Sequence, residues 1–466
     1  MAELISTAGD VLDIAKVRRF QASLRGILLL PDADGYEAAR RVHNAMIDKR
    51  PALIAQCAGV SDVVTALNFA RENSLLVAVR GGGHNVAGLG VCDGGIVIDL
   101  SAMKGIRVDP IGASVRAEAG VRWGELDREA QAFGLGTTGG AVSTTGIAGL
   151  TLGGGLGVLM RKHGLVCDNV LSVDVVTADG KLVTASADEH PDLFWGLRGG
   201  GGNFGIATAF EYRLHPVGTV LGGLVLYPFD RAREVFAFYR ELTATAPDEL
   251  TAYAALITSP DGVRLSAIFA CYTGPLAAGE ALLRPLREFG PPMADLISAM
   301  PYVDLQKTFD PTAPAGFLNY WKSSFLQELA PDVTDEMVAA FATAPSPLTS
   351  IVVEHLGGAV SRVGEGETAF SHRTRPYSAT AASLWRDMAQ SEANIAWTRR
   401  LWDAIPPGIS DPVYANYLSQ DEGDQRVRAA YGSNYDRLVA AKNRYDPTNV
   451  FRMNHNIKPT GEVPLR

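Results

Sequence analysis

Arg80-Gly81-Gly82-Gly83-His84 is the stretch that decides how this chain is read. It follows an apolar run at 75–79, short enough for a buried strand, and leads through Asn85, Gly88 and Gly90 to a second such run at 95–100. The motif is therefore a loop between two strands. Glycine adopts positive φ without steric cost and lets amide N–H groups close on an anion, because no Cβ stands in the way. Arg80 adds positive charge at one end of the loop, and His84 places an imidazole at the other. Alone, the motif also describes a tight surface turn with a solvated histidine, so its company decides.

Two further glycine concentrations follow. The first runs from Gly139-Gly140 through Gly146, Gly149 and Gly153-Gly154-Gly155 to Gly157; the second is Gly199 to Gly202, with Asn203, Gly205 and Ile206 after it. Neither is a dinucleotide fingerprint, which needs an early strand, an immediate helix and an acidic residue about 20 positions on. Glycine at this density has a chain-entropy cost. Three loops converging on one long anionic ligand account for it.

A chain of 466 residues exceeds what one hydrophobic core supports, so two domains are expected. With 47% hydrophobic and 20% charged residues it has the composition of an ordinary globular protein. The net charge of −9, with no basic cluster, argues against a nucleic-acid partner. Glu3, Asp10, Asp13 and Lys16 interrupt the N-terminal apolar residues, and no run is long enough to span a bilayer, so a cytoplasmic location without a membrane partner is the expectation. Cys57, Cys92, Cys167 and Cys271 show no CxxC spacing, which fits a reducing compartment and buried thiols and points to no metal.

Residues 1–216 read as a glycine-rich α+β domain. Helical spacing covers 60–74, with Ser61 as N-cap; Trp123, Leu126, Ala130 and Phe133 share a second helical face ended by Gly134. Asp179-Gly180 between 171–177 and 181–185 is a two-residue hairpin signal. Over 217–410 the texture changes: helices at 233–246, 276–289, 334–344 and 394–404 alternate with strands at 251–258, 263–272, 349–356 and 377–384, while 304–315 reads as a loop. A substrate domain of antiparallel sheet covered by helices is the economical arrangement. Residues 411–466 are expected to return to the first domain.

The glycine clusters, Arg161, Gly164-Leu165, Asp168-Asn169 and Asp192-Leu193-Phe194-Trp195 resemble the FAD domain of berberine-bridge-enzyme-like flavoproteins, a branch of the vanillyl-alcohol-oxidase or PCMH-type fold. Tyr414-Ala415-Asn416-Tyr417 and Asn454-His455-Asn456 extend the resemblance, which covers nearly the whole chain. It is nearest a bacterial subgroup of hydroxynicotine-oxidase-like and antibiotic-pathway flavin oxidases. The resemblance implies FAD covalently linked through one histidine, His84, to the 8-alpha methyl. Many relatives add a cysteine link two residues after a Gly-Gly pair; here that position is Val142, and Cys167 is read as packing.

The cofactor would lie along Arg80–Asn85, Gly88, the glycine clusters, Thr145, Asn203, Ile206, Asn416, Asn454 and Asn456. The resemblance also implies that Tyr417 or Glu354 accepts the substrate proton with Tyr414 beside them, and that Thr145 helps to place dioxygen. Tyr414 and Asn416 are expected on one face of a short strand-like piece, and His372-Arg373 is expected as a structural pair on a strand. The implied activity is an oxidase of secondary metabolism acting on a small alcohol, amine or natural-product intermediate and forming hydrogen peroxide. An oxygenase that uses a flavin-held oxygen species, or a drug-binding flavoprotein without turnover, remains an alternative. Monomer and homodimer stay equally open.

Overall fold

The computed structural model describes residues 12–406 and 412–461; the expected boundary at 410–411 lies outside them, as do Glu3 and Asp10. Leu53–Gln56, Val77–Arg80 and Ile96–Asp99 are short runs of branched apolar residues buried on nearly every side, and they pair in parallel, with Ile27–Leu29 antiparallel at the edge. Helix Val60–Glu72 packs beside them. It starts at Gly59 without a side-chain cap, so Ser61 does not cap it. Asp62 instead turns its buried carboxylate on the amides of Arg25, Gly26 and Ala58 and ties the N-terminal segment down.

A five-stranded antiparallel sheet follows, in the order Ile106–Asp109, Ser114–Glu118, Ile206–Arg213, Val170–Val176, Leu182–Ser186. Its last hairpin closes through three residues rather than two. Gly180, at φ +82°, donates to Thr177 O, and Thr177 N donates to Lys181 O, the geometry of a turn followed by a left-handed glycine. Helix Trp123–Gln131 buries Trp123, Leu126 and Ala130, but Phe133 lies past its end and is 52% exposed.

The second sheet is antiparallel, in the order Ala294–Asp295, Thr219–Pro228, Arg264–Tyr272, Leu250–Thr258, Ser350–His355, Tyr377–Trp385, Leu318–Leu326. Thr219–Pro228 and Leu318–Leu326 escape a sequence reading: the first holds Gly222-Gly223 and ends in proline, and the second is buried on both faces and so shows no alternation. Helices Ala232–Ala244, Leu276–Glu288, Pro331–Phe341 and Ser391–Ala404 cover one face. The other face meets the first domain, where Leu156, Met160 and Cys167 pack on Tyr253, Phe269 and Phe325.

Buried arginines join the two parts. Arg161 donates to Leu250 O at 2.8 Å and Ala246 O at 2.9 Å. Arg373 forks onto Asp168 at 2.6 and 3.0 Å; His372-Arg373 is a loop with His372 at φ +66°, not a strand. Helices Asp424–Tyr431 and Tyr435–Tyr445 follow, and Val427, Leu438, Phe451 and Ile457 join the core of the first domain. There the buried Lys442–Asp446 pair (2.6 Å) also holds Asn203 O, against the third glycine loop.

Candidate active site

A cavity opens between the first domain and the second sheet. One wall is almost entirely backbone: Arg80–Asn85, Gly140, Gly146, Gly149, Gly153, Gly205 and Ile206 line it. Gly82 and Gly146 touch main chain to main chain, so a Cβ on either would lie 2.3 or 2.4 Å from the other's amide nitrogen. Among the described residues, the amides of Gly81 through Asn85 donate to no protein acceptor. Consecutive free amides in a wall without Cβ atoms suit a diphosphate, which is the fit FAD requires.

Arg80 does not supply the charge expected of it. Its guanidinium is engaged by buried Asp99 (2.7 Å) and by the carbonyls of Ala39 and Arg41, so it braces the loop. Asn203 and Asn454 line the cavity, but their amide groups bond main chain: Asn203 bridges Gly200 O, His455 O and Ile457 N, and Asn454 donates to Gly202 O. Gly88, Gly139, Gly154, Gly155, Gly157, Asn456 and Tyr414 lie behind the wall rather than on it. Gly139 backs onto Trp123, Gly154 onto Phe370, and Gly157 onto Gly139 O, each too close for a side chain.

The opposite wall carries side chains. Residues 414–417 are not strand-like: Ala415–Tyr417 is a turn of 3-10 helix, in which positions three apart share a side. Tyr414 and Tyr417 therefore meet edge to face at 4.8 Å, with Trp321 edge-on to Tyr417 at 5.5 Å. Tyr414 is a support: its hydroxyl takes Gly155 N at 2.8 Å and Asn416 Nδ2 at 2.7 Å. Glu354, from Ser350–His355, stands in register between Tyr253 and Ser378 on the strands beside it. Tyr417 Oη donates to Glu354 Oε2 over a long 3.5 Å. Burial pushes the Glu354 carboxyl up to about 7, against the hydroxyls of Ser378 and Tyr417 that favour its charge. Burial, and then the Glu354 charge, hold the Tyr417 phenol well above its ordinary range.

His84 faces the cavity between these walls. Thr144 Oγ1 lies 2.9 Å from its Nε2 and Thr145 Oγ1 3.4 Å from its Nδ1, while the His43 ring stacks on it at 4.1 Å. Burial, then the neighbouring His43 and Arg122, lower its pKa to about 3, so the ring is neutral. Sequence reasoning missed His43, Trp321 and Ala313 on this cavity, because each stands alone in the chain with no motif around it.

Residues 51–186 match the FAD binding domain family, and residues 413–458 match the berberine and berberine-like family. The chain is 33% identical to an FAD-linked oxidoreductase of Dictyostelium discoideum, over 95% of this chain and 97% of the relative. It is 32% identical to the (R)-6-hydroxynicotine oxidase of Paenarthrobacter nicotinovorans, over 94% of this chain and 98% of that one. The solved structure of 6-hydroxy-D-nicotine oxidase from Arthrobacter nicotinovorans superposes with a TM-score of 0.85 at 28% identity, covering 94% of this chain and 98% of that one. For Physcomitrella patens BBE-like 1 the TM-score is 0.86 at 25% identity, covering 97% and 99%.

Fold and site together define an FAD-dependent oxidoreductase. More narrowly, the chain belongs to the berberine-bridge-enzyme-like FAD-linked oxidoreductases, on the PCMH-type fold. Among the described residues no helix is long and apolar enough to cross a membrane.

Proposed function

We propose that this protein is an oxidase that takes hydride from a small alcohol, amine or natural-product intermediate, passes the electrons to dioxygen to form hydrogen peroxide, and carries its FAD on one covalent link through His84. The observation behind this reading is the pair of buried Glu354 and half-buried Tyr417, on the wall facing the glycine loops. FAD, when bound, accepts the hydride. A carboxyl whose pKa is about 7 is about half deprotonated at neutral pH, the condition under which a general base works best. Tyr417 stays protonated there, so it donates a hydrogen bond while Glu354 takes the substrate proton. The base role thus goes to Glu354, with Tyr417 orienting both partners and Tyr414 holding Asn416 and Gly155. A base and donor set in this way favour turnover over mere ligand storage.

A single link agrees with Val142 lining the cavity where doubly linked relatives carry cysteine. The four cysteines are buried, and none lines the cavity. Neutral His84 keeps a lone pair on one ring nitrogen, which makes it a nucleophile. Two measurements test the reading. Substrate added without oxygen should bleach the flavin and air should then release peroxide; bleaching without oxygen reactivity would make the protein a dehydrogenase. Mass spectrometry of peptides should find flavin on the His84 peptide, and His84→Ala should release all its flavin into acid.

A further inference from the structure

Residues 310–313 belong to the second domain, yet they reach both supports of His84. Asp310 accepts the Ser143 amide at 2.8 Å and the Ser143 hydroxyl at 2.5 Å. Ser143 precedes Thr144 and Thr145, whose hydroxyls flank the two nitrogens of the His84 ring. On the other side, Ala313 O lies 3.0 Å from Nε2 of His43, whose ring stacks on His84 with 29° between the planes. Because a carbonyl only accepts, the proton of His43 sits on Nε2. His43 is fixed from its main chain as well: its amide donates to Gly83 O at 3.0 Å, and its carbonyl accepts Gly316 N at 3.1 Å. A ring on the face of His84 and a hydroxyl beside each of its nitrogens thus share one anchor in the other domain.

We propose that residues 310–313 act as a clasp that orients His84 for its attachment to the flavin, which makes Asp310 and His43 positioning residues of that reaction. The proposal rests on the covalent reading above. In the attachment, a ring nitrogen of His84 forms a bond to the methyl carbon of the flavin, and that carbon gives up one hydrogen as a proton. The imidazole loses its N–H proton, and the electron pair of the broken C–H bond stays on the flavin until dioxygen, the two-electron acceptor, removes it with two protons to give hydrogen peroxide. The step requires the nitrogen in line with one carbon, and a ring turning freely about its side-chain bonds seldom meets that condition. Docking of the second domain holds the ring in one pose.

The test uses full-length protein produced under flavin limitation and then given FAD. It follows the rate at which flavin becomes resistant to acid precipitation, and separately the affinity for FAD before attachment. Asp310→Ala should attach flavin about tenfold or more slowly while its FAD affinity stays within about threefold of wild type. Asp310→Asn, which keeps one acceptor oxygen for Ser143, should recover part of the rate. Attachment at the wild-type rate in Asp310→Ala overturns the clasp. Should that variant fail to fold, His43→Phe decides, since it keeps a ring against His84 but loses the bond to Ala313 O: slowed attachment supports the clasp, and an unchanged rate overturns it. Wild-type protein that never holds acid-resistant flavin overturns the covalent reading, and the clasp with it.

Discussion

The glycine wall of the cavity presents main chain: five successive amides, Gly81 to Asn85, and a contact between Gly82 and Gly146 too close for any Cβ. The sheet wall presents side chains: a carboxyl, a phenol and an indole carried by Glu354, Tyr417 and Trp321. On the proposed reading the first would recognise the cofactor through shape and backbone dipoles, which do not depend on pH. On the same reading the second would carry proton transfer, and its behaviour would depend on how deeply one carboxyl is buried. Damage to the first should therefore appear as lost cofactor, and damage to the second as lost rate with the cofactor in place.

Glu354→Gln should break the sheet wall most severely. Flavin reduction by substrate should slow by about 10²- to 10⁴-fold, and the rise in rate through pH 7 should vanish while FAD stays bound. Survival of that rise in Glu354→Gln, with its loss in Tyr417→Phe, would reverse the two roles. The same variant should differ in stability with a definite sign. The folded-state pKa lies above the ordinary 4.5, so the wild type carries no penalty below about pH 4.5, loses stability as pH rises toward 7, and carries the full cost above it. Removing the ionisable group should gain on the order of 3 kcal/mol at pH 8 and nothing from this source at pH 4, read from denaturant unfolding at both values.

Gly146→Ala tests the glycine wall. A methyl 2.4 Å from Gly82 N must push the two loops apart, at a cost of about 1–3 kcal/mol, so the affinity for FAD before attachment should drop by about tenfold to a hundredfold in equilibrium dialysis of protein produced under flavin limitation. Reduction of the protein that still holds FAD should stay near the wild-type rate; a slowed reduction would mean that the two walls are coupled. Tyr417→Phe should have the smallest effect. Loss of one long hydrogen bond to Glu354 is worth about 1 kcal/mol, which is about fivefold in the reduction rate by stopped flow, with the pH 7 limb retained.

The two walls also differ in how much of each could be read in advance. Glycine loops are legible because a local property, freedom at φ and the absence of a Cβ, is written in the residue type. The same reading overshot, since Gly88, Gly139, Gly154, Gly155 and Gly157 proved to be packing positions of the loops. Local periodicity failed where burial was two-sided, as in Leu318–Leu326, and so hid Trp321. It also misjudged 414–417, where 3-10 winding rather than strand alternation brings Tyr414 and Tyr417 together.

From the sequence by itself came the family, the glycine loops as cofactor-binding candidates, His84, and Glu354 and Tyr417 as alternative bases, because motif order and residue chemistry survive without coordinates. Only the tertiary structure decided that Arg80 is neutralised by Asp99, that His43 lies on His84, and that Asp310 reaches Ser143 from 167 positions away. It also showed that burial raises the proton affinity of both Glu354 and Tyr417. The reason is physical. Charge pairing, ring stacking and desolvation depend on distances between chain segments remote in sequence, and no local pattern encodes those distances.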